Sequence, residues 1–216
     1  MSKLQSYLTF FYREFIAFPM YILSHPFDGF YELKYGQKGL IKVASFYLIL
    51  ESLMSILQFR FTGFIFNTFN QEEFNYLRQI LLTLLPFLIF VLANWSITTL
   101  MDGKGKFKDI YLVLGYALAL KVYLGLFAII LSNVLTMDEA FFYYGLQTLG
   151  FGILIIYGFL GILVIHEYTL TKTFLTMGLT VLSAGVIIFL SLLAFSLLQQ
   201  IYVFLVTIYR ELSLRF

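Results

Sequence analysis

The sequence predicts an all-α, polytopic integral membrane protein, with five transmembrane helices preceded by an N-terminal interfacial amphipathic helix. Three observations carry that prediction. Hydrophobic residues fill 61% of 216 positions and charged residues only 12%, about half the charge of a soluble domain, and mean hydropathy is +0.89. Five apolar runs approach or exceed the roughly 20 helical residues needed to cross a hydrocarbon core. A lysine-rich hairpin, Met101–Asp109, separates the second run from the third. Closed barrels are the other spanning solution, but these runs lack the alternation barrels require.

The N-terminal region, 1–38, comes first. Leu4, Leu8, Phe11, Phe15, Phe18 and Ile22 recur at helical spacing, with Lys3, Gln5, Arg13 and Glu14 on other faces. This predicts a helix lying in the cytoplasmic interface, or alternatively packed on the bundle. Pro26 and Gly29 in Ser24-His25-Pro26-Phe27-Asp28-Gly29 signal its turn. No secretory pattern precedes it, so the first methionine reads as the true start.

The membrane domain, 39–198, follows. Its spans are Leu40–Leu57, Ile80–Leu100, Ile110–Leu131, Gly145–Ile165 and Phe174–Leu198. Lys104, Lys106 and Lys108 beside a membrane-length segment resist translocation and fix the hairpin inside. Parity then puts the N-terminus and His166–Thr173 inside, and Gln58–Gln79, Ser132–Tyr144 and the C-terminus outside. Lys3, Arg13, Lys34, Lys38 and Lys172 agree; Arg60, Arg78, Arg210 and Arg215 fall outside. The aromatic residues of Gln58–Gln79, including Phe59, Phe64, Phe66, Phe69 and Phe74, suggest a belt at the bilayer surface, or else a lid. Residues 199–216 form an external helical extension. Continuous helix from Phe174 to Leu212 would measure roughly 58 Å, so it must tilt, bend at Gln199-Gln200 or turn along the surface. A sixth span is the lesser alternative.

Two charges lie deep in these runs. Glu51 stands eleven residues past Leu40 and Lys121 eleven past Ile110, each about 16 Å in at 1.5 Å per residue. Opposite charges at matching depth on co-oriented helices suggest a buried pair. One such charge costs about 3 kcal/mol of insertion, and each large apolar residue returns about 0.5. With Asn94 and Tyr116 the pair could form a polar intramembrane track. A structural ion pair or a snorkelling lysine is the plain alternative. Asn94-Trp95-Ser96 matches a glycosylation sequon, but its place in a span makes a helix–helix hydrogen bond the sounder role for Asn94.

At the cytoplasmic boundary lie His25, Asp28, Asp102, Asp109, His166 and Glu167. A metal or proton site is conceivable there; helix capping and headgroup contact are the ordinary explanation. His166-Glu167 does not continue to H-E-x-x-H, and Gly103-Lys104-Gly105-Lys106 fits neither phosphate-loop nor dinucleotide spacing. Lys104, Lys106 and Lys108 suit anionic headgroups, at about 1 kcal/mol each. Gly150, Gly158 and Gly161 form one stripe and Gly115 with Ala119 a small-xxx-small step, both suited to close helix approach. The chain has no cysteine, hence no thiolate chemistry, and a net charge of +2 makes no case for nucleic acid.

Residues Ser24 to Leu198 resemble the Yip family, the Ypt/Rab-interacting type of five-span membrane protein, in its bacterial branch. The resemblance rests on His25-Pro26-Phe27, the Asn94–Asp109 block, Gly115-Tyr116-Ala117-Leu118-Ala119 and His166-Glu167-Tyr168. It implies five spans with the N-terminus cytoplasmic and the C-terminus outside, here the bacterial cytoplasmic membrane. Eukaryotic relatives are adaptors for small GTPases, but their acidic N-terminal region is missing here, so that partner is not carried over. A proline expected near Leu120 is also missing. The sequence therefore reads first as a non-enzymatic membrane adaptor or assembly factor, without cofactor, binding lipids and other membrane proteins or itself. The rival is a small transporter, channel or lipid-moving protein. A headgroup-modifying enzyme near His166 and Asp102 ranks last.

Overall fold

A computed structural model describes residues 3–70 and 73–213. The side chains of Lys3 and Leu4, and Arg215 altogether, lie outside the described residues. The fold is all-α: 84% helical, without a strand among the described residues. Five helices are long and apolar enough to cross a membrane.

The N-terminal helix begins as α1 (Lys3–Phe11), loosens into a π segment (Tyr12–Ala17) and continues as α2 (Phe18–Ser24). Pro19 explains a feature of its packing. Proline has no N–H to give the carbonyl four residues back, which is that of Phe15. Tyr123 Oη donates to this oxygen at 2.8 Å, and Tyr47 Oη does so as well. Of the apolar stripe, Phe18 and Ile22 are buried, whereas Leu8 and Phe11 face outward, so only its second half docks on the bundle.

The expected turn shrinks to one residue. His25 breaks the helix and α3 (Pro26–Lys34) starts at once, with Pro26 in its first turn, where a missing N–H costs nothing. Gly29 is no turn residue. It lies in α3 against Ile22, whose Cα would stand 2.8 Å from an added Cβ.

The spans are α4 (Ile41–Phe61), α5 (Tyr76–Leu100), α6 (Phe107–Ser132), α7 (Ala140–His166) and α8 (Leu170–Ser213). Helix α6 is the central element. An added Cβ at Gly115 would meet Ala44 of α4 at 2.5 Å, and one at Gly161 of α7 would meet Val113 of α6 at 2.3 Å. Glycine at both places lets backbones approach. Helix α5 pairs instead with α8, through the fully buried Asn94, which donates to Thr180 at 3.0 Å. Thr173, Thr176 and Thr180 are buried along the same seam.

Helix α8 is 44 residues long, about 66 Å at 1.5 Å per residue. Gln199 and Gln200 lie inside it without a break, so no reversal and no sixth span forms. Its residues from Ser191 to Leu205 are all exposed. In the α4–α5 connection, Phe59 stacks on Phe74 at 4.0 Å. Phe66 is 3% exposed and packs on Ala128 and Tyr143, while Phe64 is bare. The aromatics thus divide between a folded cluster and the outer surface.

Candidate functional site

Halfway along α4 and α6 the structure brings Glu51 and Lys121 together as an ion pair. Both helices run in the same direction from the end that carries the lysine hairpin, called here the lysine end. Glu51 is ten residues past the first residue of α4 and Lys121 fourteen past that of α6, about 15 and 21 Å along the two axes. The Glu51 side chain is 9% exposed and that of Lys121 29%. Only Glu51 Oε1 engages the lysine. Oε2 has no partner among the described residues.

Two cavities meet at this pair. One, of about 410 Å³, lies between α5, α6 and α7 and is walled by Phe87, Phe90, Leu118, Phe151 and Leu154, with Glu51 and Lys121 at its edge. Pro86 also lines it, and leaves the Leu82 carbonyl beside it without an i+4 donor. The other, of about 180 Å³, is polar: Glu51, Ser55, Gln58, Lys121 and Gln147 line it, with Gly125 and Gly150 making room. It extends from the pair away from the lysine end. The side chains of Ser55, Gln58 and Gln147 make no hydrogen bond to another described residue, so they are free for a ligand.

Asn94 and Tyr116 do not join this site. Asn94 belongs to the α5–α8 seam, where its Oδ1 is buried and unpartnered. Tyr116 Oη accepts from the backbone N–H of Leu40 at 3.2 Å. The four-residue track reduces to the ion pair. Ser55, Gln58, Gln147 and Pro86 were not singled out from the sequence, although a signal existed. Glu51, Ser55 and Gln58 fall at i, i+4 and i+7, one face of a helix.

The boundary residues divide likewise. His25 lies against Ser24 and Tyr21, and Asp28 sits exposed in the first turn of α3. Asp109 accepts from the N–H of Lys106 at 2.9 Å and caps α6. Among the described residues no three His, Asp or Glu side chains converge as a metal would require.

His166 and Glu167 instead form a clasp. His166 is 1% exposed, and its Nδ1 accepts from Gly105 N–H at 3.2 Å. That bond leaves the ring proton on Nε2, which has no partner among the described residues. An added Cβ at Gly103 would stand 2.3 Å from Nδ1, and one at Gly105 2.8 Å from Nε2. Neither glycine adopts a positive φ. The left-handed residues of this clasp are Asp102 and Glu167, both at φ 55°. The hairpin's glycines serve close approach to the imidazole.

Glu167 accepts from Tyr35 Oη at 2.6 Å and pairs with Lys104. These hydrogen bonds, the lysine's first, hold its carboxyl below the usual range. Burial, then the bond to Glu167, pushes Tyr35 up to about 12. Lys34 donates to Ile165 O at 2.6 Å and Lys104 O at 3.0 Å, placing a cation at the negative end of α7. Burial pulls its pKa down. Lys104 is therefore committed to Glu167, while Lys106 and Lys108 remain exposed.

No known protein family, curated protein or solved structure matches this chain.

Proposed function

We propose that this is a non-enzymatic integral membrane protein that admits an amphiphile from the bilayer beside Glu51 and Lys121 and moves it across the membrane. This is the lipid-moving rival that ranks second on sequence alone. One observation carries it: a single ion pair forms a wall of both an apolar cavity of about 410 Å³ and a polar one of about 180 Å³. An acyl chain needs the first environment and a headgroup the second. An ionisable pair at membrane depth marks a pathway by default. Reconstituted in liposomes, the protein should speed the appearance of a fluorescent phospholipid in the opposite leaflet, and Lys121→Leu should abolish the gain. Undiminished flux in that variant, or none in the wild type, overturns the reading.

The adaptor reading keeps one specific support. Helix α8 is twice the length a bilayer needs, and from Ser191 to Leu205 it has no buried residue. A photo-cross-linker at Leu198 or Phe204 that captures one membrane protein in stoichiometric yield would favour it.

In line with the Yip resemblance, we place the N-terminus and lysine hairpin in the cytoplasm and the C-terminus outside the bacterial cytoplasmic membrane. The lysine distribution supports this placement. Labelling of Lys106 from outside intact cells would overturn it.

A further inference from the structure

We propose a second, independent site: the cleft between the N-terminal helix and the α3–α4 connection binds the headgroup of a zwitterionic phospholipid bearing a primary ammonium. The cleft measures about 720 Å³, and Arg13, Glu14, Glu32, Lys38, Phe10 and Tyr21 are among its walls. It reaches Leu40, where the first span begins, the level at which headgroups lie.

The chemistry comes from the π segment. Such widened turns recur at functional sites, and this one presents Arg13 and Glu14. Glu14 is 9% exposed. Arg13 Nε and Nη2 both reach its Oε1 at 2.8 Å, so Oε2 accepts nothing from the described residues. Glu14 is shielded but this oxygen is not sealed off, so a donor supplied by a ligand in the cleft can reach it. Across the cleft Lys38 pairs with Glu32, yet its side chain is 55% exposed, and that of Arg13 is 75% exposed.

Two acids and two bases sum to zero charge, so neither a plain anion nor a plain cation is favoured. A ligand carrying both charges satisfies both walls. Its ammonium donates to Glu14 Oε2, and its phosphate accepts from Arg13 and Lys38 in charge-assisted bonds. A quaternary ammonium has no N–H for Oε2. It would need an open aromatic cage, but Tyr21 is already stacked with Phe18 and His25. Phe10 and Phe18 supply an apolar floor for the glycerol and first methylenes, which selects a lipid over a free phosphoethanolamine.

The test is calorimetric titration of the full chain in detergent with three probes: a short-chain diacyl phosphoethanolamine lipid, its choline analogue and soluble glycerophosphoethanolamine. The ethanolamine lipid should bind at least tenfold tighter than either of the others. Glu14→Gln should erase the preference over choline, and Lys38→Ala on the exposed wall should weaken both lipids. Equal binding of the two lipids by the wild type overturns the proposal without any variant. So does a preference that survives Glu14→Gln. Glycerophosphoethanolamine binding as tightly as the lipid overturns the lipid as the source.

Discussion

Neutralising Glu51 and Lys121 singly and together separates a pair that holds the fold from one that serves the two cavities it lines. Lys121→Met leaves a carboxylate that is 9% exposed without its partner, a loss of about 3–5 kcal/mol for a broken buried pair. Glu51→Gln should fall at the lower end of that range, because a lysine 29% exposed can turn its ammonium toward the polar cavity on a flexible stem. The double variant removes both charges and keeps the volumes. Its stability should come within about 1 kcal/mol of the wild type or exceed it. The coupling between the two sites is then at least about 5 kcal/mol, roughly several-thousandfold in the folded-to-unfolded ratio. Unfolding in mixed micelles of rising sodium dodecyl sulfate can be followed by Trp95, the single tryptophan, which stands edge-on to Phe107. A double variant no more stable than the worse single would refute the pairing argument. A stable double that has lost lipid flux would show that the charges are retained for the two cavities.

Tyr47→Phe with Tyr123→Phe should cost about 1–3 kcal/mol in the same assay, since the Phe15 carbonyl loses both side-chain donors; adding Pro19→Ala, which restores a backbone donor, should recover part of it. Gly103→Ala should destabilise by about 2 kcal/mol, because its Cβ would meet the Thr98 carbonyl at 2.8 Å as well as His166. Gly152→Ala, with nothing within 4 Å, should be neutral or stabilising by about 0.5–1 kcal/mol. The clasp should also depend on pH. Its lowered Glu167 pKa means the stabilisation is complete above about pH 4.5, the unfolded value, and is lost as pH falls through the folded one. Stability in the unfolding assay should fall in that window, and Glu167→Gln should shrink that fall.

The number and order of the spans were legible because hydrocarbon burial is a property of runs, and runs survive without tertiary information. Their ends were less so. Tyr76 to Gln79 and Ala140 to Tyr144 are helical, but their polar or aromatic neighbours dilute the apolar signal. The Glu51–Lys121 pair could be anticipated from depth alone, since two co-oriented helices turn sequence spacing into height. The cavities could not, because a void depends on which helices fail to touch. Nor could the clasp. Lys34 and Ile165 are 131 residues apart, and nothing local at Lys34 announces that it will cap the end of α7.

The packing also locates where the bundle can yield. Around α6 the approach is set by glycines: Gly115 against Ala44 and Gly161 against Val113 leave no room for even a methyl group. Between α5 and α8 it is set by hydrogen bonding, with Asn94 held to Thr180 where both are fully buried. Both are costly to part. The region between α5 and α7 has neither device, only the ends of phenylalanine and leucine side chains around a cavity and a proline that has already removed one backbone bond from α5. Side chains of that kind change rotamer at small cost, whereas glycine contacts and buried amides do not. The softest seam in the bundle is therefore the one that leads to Glu51 and Lys121, the route by which the proposed amphiphile would reach the pair without disturbing the α4–α6–α7 core.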